Sequence, residues 1–185
     1  MWPWGHLAVG YLSYRLLGRL DSGLKPGGRA TVAVAAGTQF PDLIDKPLAW
    51  SLELLPHGRS LAHSLFTALV VVAVVRFALR RRDHDAEATA FAVGYASHLV
   101  ADAIHPAIRG ELGELGYLAW PVVPAPTYET VPSFASQFTS ANLTPFFVAE
   151  LALTVAVAAL WLRDGAPGLG VLRAVPAWVG RKLST

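Results

Sequence analysis

The chain has 185 residues, enough for one domain, and 54% of them are hydrophobic while only 15% are charged. Soluble domains carry about 25% charged residues, so this composition points away from a water-covered exterior and toward one that faces lipid. The formal net charge of +2 is not gathered into one basic stripe, which argues against a nucleic-acid partner. The absence of cysteine excludes disulfides and thiolate ligands and leaves His, Asp, Glu or backbone oxygen to hold any transition metal.

In chain order, the opening Met1 to Trp4 lacks the positive n-region of a secretory signal and reads as mature protein. Five hydrophobic helices are expected, at about 4–20, 30–44, 61–79, 86–104 and 145–162, in a single membrane-embedded domain. The first is short and mixed, with Trp2, Trp4 and Tyr11 suited to the interface. The second is Ala/Val-rich and ends in Pro41-Asp42. The third is charged only at Arg76 apart from His63; the fourth is broken by Glu87, His98 and Asp102, and the fifth by Glu150. A crossing needs about 20 apolar residues, so the third and fifth are the clearest spans. The fold class is all-α: a polytopic membrane helical bundle.

Lysine and arginine orient the bundle. If the N-terminus lies outside, twelve of the fifteen basic residues fall inside, leaving only Lys46, Arg59 and Arg109 outside. That asymmetry is what the positive-inside rule expects, so the C-terminus is cytoplasmic. The stretch 105–144 becomes a long outer loop rich in proline (Pro121, Pro124, Pro126, Pro132) and in aromatics (Tyr117, Trp120, Tyr128, Phe134, Phe138) that suit the headgroup layer.

With the topology set, His6, His57, His63, His98 and His105 all fall at outer helix ends, joined by Asp42, Asp45 and Asp102. An ionisable group in a membrane costs about 2.5–3.5 kcal/mol on insertion scales and persists where it pairs or binds something. His98 and Asp102 are four residues apart, on one helix face and one turn apart, which suits two ligands of one cation or a ligand and its orienting carboxylate. Asp42 and Asp45 close the second helix, and His57-Gly-Arg-Ser-Leu-Ala-His63-Ser leads into the third. Imidazole mixed with carboxylate suits zinc, or manganese or iron. With an open position, such an ion acidifies water into a nucleophile. His84, beside Arg82 and Asp83, is assigned to the opposite side.

Trp4-Gly-His6, Gln39-Phe-Pro-Asp-Leu-Ile-Asp45, the His57–Ser64 segment and Gly94-Tyr-Ala-Ser-His98-Leu-Val-Ala-Asp102 resemble the membrane-bound, metal-dependent hydrolase family. One of its bacterial branches is an inner-membrane-associated hydrolase of LexA-binding type. Their order is also distantly similar to the zinc-dependent phospholipase C and P1 nuclease class. The likeness covers roughly the first 105 residues. It implies that Asp42, His63, His98 and Asp102 hold one metal, with His6 binding a second and Asp102 bridging. The residues that complete a three-metal cluster in that class have no clear counterparts after Asp102, so one or two ions are expected.

The function expected is hydrolysis of a lipid phosphoester, with the site toward the outer face. Arg59 would hold the phosphate, Asp45 would serve as general base or second-shell partner, and His57 and His105 would lie in the second shell. The rivals are a lipid amide hydrolase with the same metal chemistry, a transporter, and a non-enzymatic protein whose metal only staples helices. Transport predicts polar residues reaching the inner face, and the inner halves of the last three helices offer almost none.

Overall fold

The computed structural model describes residues 1–21, 24–125, 132–139 and 142–174, without the side chains of 137 and 138. Pro126, Tyr128, Arg181, Lys182 and the side chain of Phe138 lie outside the described residues. The described chain is all-helical: α1 (Pro3–Leu20), α2 (Gly28–Lys46), α3 (Leu65–Arg80), α4 (Asp85–Arg109), α5 (Phe134–Thr139) and α6 (Pro145–Arg163). A π-helical turn at Pro47–Ser51 follows α2, and a 3₁₀ helix at Leu112–Ala119 follows α4.

The helix ends explain themselves chemically. Ser64 and Thr144 cap α3 and α6, accepting from the amides of Phe66 (3.2 Å) and Phe147 (3.1 Å). Pro145 stands where a helix has no use for an amide proton. Asp85 and Glu87 sit in the first turn of α4 and Arg109 in its last, complementing the helix dipole, before Gly110 at φ 72° ends it.

Helix α4 is central and packs on α1, α2 and α3, while α6 packs on α1. Gly37 and Gly94 let α2 and α4 approach closely: a Cβ on Gly37 would collide with the Phe91 carbonyl oxygen, and one on Gly94 with that of Val34. Small residues at such crossings are the usual means of close helix packing in membranes. Tyr14, Ala30, Val34 and Ala90 fill one end of this core. Ala68, Phe91, Tyr95 and Leu99 join α3 to α4, and Ala8, Tyr11 and Val157 join α1 to α6.

Helices α1 and α6 run parallel. Trp2 N, just before α1, donates to Glu150 Oε1 (2.7 Å) in the N-terminal half of α6, and Tyr11 and Arg15, farther along α1, reach Asp164 (2.7 and 2.6 Å) at the end of α6.

The helices depart from the expected spans in instructive ways. Helix α3 starts at Leu65 rather than 61, because the amides of Ser60, Ala62 and His63 turn instead onto Asp45. At 16 residues it covers roughly 24 Å, short of a bilayer core of about 30 Å. Helix α4 runs on through Pro106 to Arg109, so His105 belongs to a helix and not to the loop. Among the described residues only α6 is by itself long and apolar enough to cross a membrane, which corrects the expectation of five such helices. The others are shortened, or interrupted by the polar groups that build the site. Even so, α3 displays Leu69, Val70, Val74 and Phe77, each more than 60% exposed, an apolar stripe that water does not favour.

Candidate metal centre

One end of the bundle gathers His6 from the first turn of α1, Asp42 and Asp45 from the last turns of α2, His63 from the turn before α3, and His98 and Asp102 from α4. All six are buried. His63 Nδ1 lies 2.8 Å from Asp45 Oδ2, and His98 Nδ1 lies 2.6 Å from the Thr38 carbonyl oxygen. Both partners can only accept, so each Nδ1 carries a proton and each ring turns its Nε2 inward.

Those two Nε2 atoms face each other at 3.0 Å. Two lone pairs at that distance repel unless a proton or a cation lies between them. Asp42 Oδ1 is 3.5 Å from His63 Nε2 and 3.9 Å from His98 Nε2; Asp102 Oδ2 is 3.6 and 3.8 Å from the same two atoms. Bonds of about 2.0–2.1 Å around a tetrahedral zinc place its ligand atoms roughly 3.3 Å apart, so the Asp42, His63 and His98 atoms have the spacing of ligands to one ion. Among the described residues, Asp42 Oδ1 and both ring nitrogens of His6 are buried without a hydrogen-bond partner. Orphaned polar atoms of this kind call for a ligand. Two sets, Asp42/His63/His98 and His6/His98/Asp102, have the spacing to hold a metal ion.

Each carboxylate divides its work. Asp42 gives Oδ2 to Lys46 (2.5 Å), one helical turn on, and keeps Oδ1 for the cluster. Asp102 turns Oδ2 toward the facing imidazoles and Oδ1 toward His6 Nε2 (3.3 Å) and the Met1 amine (2.6 Å). Its two oxygens thus face different partners. The His6 ring stacks on His98, 3.8 Å between centroids. Asp45 accepts from the amides of Ser60, Ala62 and His63 and from the His63 ring. Of the two roles expected for Asp45, four accepted bonds on a fully buried carboxylate suit the orienting partner.

Arg59 donates from Nε to Asp102 Oδ2 at 2.8 Å, lies 6.0 Å over the Tyr117 ring and lines a cavity of ≈ 330 Å³ beside Asp102. His57 is not brought to the facing atoms. Its Nδ1 accepts the Arg59 amide (3.0 Å), shaping the loop that carries the guanidinium. Burial, and then the charge of Arg59, lower the His57 pKa to about 4, so this ring is neutral as its acceptor role requires. His105 packs edge-on against Phe146 (4.8 Å) and lines the same cavity without joining the cluster.

Over residues 1–174 the chain matches the YdjM inner membrane protein family. It belongs to that family. No curated protein and no solved structure matches it. The YdjM description gives the membrane location and names no reaction, so the chemistry of this member has to be read from its own residues.

Three of those residues carry more than the sequence suggests. Tyr117, expected at the headgroup layer, is buried with its ring 6.0 Å from that of His63. Burial and then the Asp102 charge push its hydroxyl up to about 12. Thr38 acts through its backbone carbonyl, for which no side-chain pattern exists. Glu150 lines the cavity and pins Trp2; its signal was visible as the single charge within the last apolar helix. His84 pairs instead with Glu87 (3.6 Å) at the start of α4, away from the cluster.

Proposed function

We propose that this inner membrane family member is a metal-dependent hydrolase that cleaves a phosphoester of a lipid. The observation that supports the reading most strongly is the facing His63 and His98 Nε2 pair, 3.0 Å apart with both Nδ1 protons already committed. His63, His98, Asp42 and Asp102 would hold one ion, and His6 a second that shares Asp102. Zinc fits this mixture of imidazole and carboxylate, with manganese or iron as substitutes. When bound, such an ion supplies Lewis acidity and a water acidified to near neutrality.

The chain's own residues do the remaining work. Asp45 and the Thr38 carbonyl fix two imidazole tautomers. Arg59, at the cavity wall, is placed to fork onto the non-bridging oxygens of a phosphoryl group as charge builds there. The lipid enters from the bilayer in which α6 is seated, with α1 packed beside α6. The cluster lies toward the outer face, with the N-terminus outside and the C-terminus cytoplasmic, because the arginines concentrate at the opposite end of the bundle.

Arg59→Ala tests the substrate class. Its fold and bound metal are expected to persist while phospholipid hydrolysis drops about 100- to 1,000-fold, the usual loss for one preorganised donor, with Arg59→Lys recovering part of the rate. A variant as fast as the parent on every phospholipid, or a parent that cleaves none, would remove the phosphoesterase reading. A parent that cleaves an amide-linked lipid would put the amide hydrolase in its place.

A further inference from the structure

A second cavity, of ≈ 410 Å³, runs along the seam between α1 and α6. Trp4, Leu7 and Tyr11 of α1 line it opposite Val157, Ala158 and Trp161 of α6, with α2 as its floor. The spacing on each helix keeps these residues on one stripe. Of the polar side-chain atoms along these walls, Trp4 Nε1 and Thr31 Oγ1 are buried away from the surface without a hydrogen-bond partner among the described residues, and three others are bonded within the protein. Tyr11 Oη donates to Asp164, Thr154 Oγ1 to the Glu150 carbonyl and Trp161 Nε1 to the Pro167 carbonyl. The lining therefore offers little beyond hydrocarbon contact.

This groove and the polar cavity occupy successive lengths of one seam. Trp2 and Glu150 line the polar cavity, while Trp4 and Thr154, a turn or less farther on, line the groove. One wall belongs to α6, the helix able to cross a bilayer, so the groove opens at a depth where acyl chains are the abundant apolar species.

We infer that the groove seats one acyl chain of a membrane phospholipid whose head group reaches the polar cavity beside Arg59. Head-group cleavage rests on the hydrolase reading; occupancy of the groove does not. A single chain suits a slot one helix seam wide, and its anchoring would aim the phosphoester at the cluster.

The test uses the full chain reconstituted in vesicles of phosphatidylethanolamine and phosphatidylglycerol. A small fraction of the phosphatidylglycerol carries a diazirine on one acyl chain. After irradiation, adducts mapped by mass spectrometry should be enriched on Leu7, Val157, Ala158 and Trp161 over the lipid-facing Leu69 and Val70 of α3. Ala158→Trp, or Ala35→Phe from the floor should the first variant fail to accumulate, should lower groove labelling about tenfold, since displacing a pair of buried methylenes is worth that much. Metal content should stay unchanged.

Equal labelling of α3 and the groove would overturn the proposal. So would a groove occupied by residues 175–185 of the chain itself, read from a photoreactive amino acid at position 158. Neither result depends on turnover. If the parent is active, the groove variants should lose long-chain phospholipid hydrolysis and keep hydrolysis of a short, water-soluble phosphodiester. Loss of both would also count against the groove.

Discussion

Asp45 accepts three backbone amides and the Nδ1 proton of His63, so its charge acts on the cluster through another residue's tautomer. Asp45→Asn keeps the size but replaces one acceptor oxygen with a donor, leaving an amide or the ring proton unmet. Metal affinity is expected to fall about 10- to 100-fold, the usual consequence of losing an orienting partner, as measured by chelator competition. Unchanged affinity would mean that His63 does not need this tautomer. The histidines and carboxylates that meet were legible from the sequence. Each is an ionisable group in or next to an apolar run, and the arginine asymmetry put them at one end. The acceptors behind them were less so. Thr38 contributes a carbonyl, which every residue has, and Tyr117 reaches His63 only because the 3₁₀ helix folds back under Ser64, whose hydroxyl donates to the Trp120 carbonyl (2.6 Å).

Helix α4 carries His98 and Asp102, and its register against α2 sets whether His98 reaches Thr38. The reciprocal Gly37 and Gly94 contacts hold that register by bringing the two backbones together. Gly94→Ala should force the helices apart, costing about 1–3 kcal/mol through overpacking and weakening metal binding with it. Thermal unfolding and metal titration on the same sample check both effects, and a stable variant with parental affinity would dismiss the glycine pair as a positioning device. Helical periodicity was enough to find the five long helices, because their apolar runs are long. It misjudged α3 at its start: hydropathy counts Leu61 and Ala62 as helix, whereas the Asp45 carboxylate, fifteen or more residues away in sequence, binds their neighbouring amides and unwinds the turn.

At the scale of the whole molecule, the cluster lies at one end while Arg15 and the Arg80–Arg82 run lie at the other. The proposed orientation sets that polarity across the bilayer of an inner membrane family member. The chain has no cysteine, so single introduced thiols report the orientation cleanly. Gly113→Cys, at an open position in the 3₁₀ helix, should react with a membrane-impermeant maleimide from outside. Arg81→Cys should react only after permeabilisation, and the reverse pattern would put the cluster on the cytoplasmic side. Expression and membrane insertion of both variants serve as controls.

Whether the facing imidazoles hold a metal is decided by elemental analysis of the full chain purified from membranes without added metal. One or two equivalents, predominantly zinc, are expected in the parent and in His84→Ala. His63→Ala, His98→Ala and Asp102→Ala should each lose most of that metal, since a tetrahedral site rarely survives the loss of a ligand. A parent that carries no metal and takes none up, or equal metal in all five proteins, would contradict a metal centre at this end of the bundle.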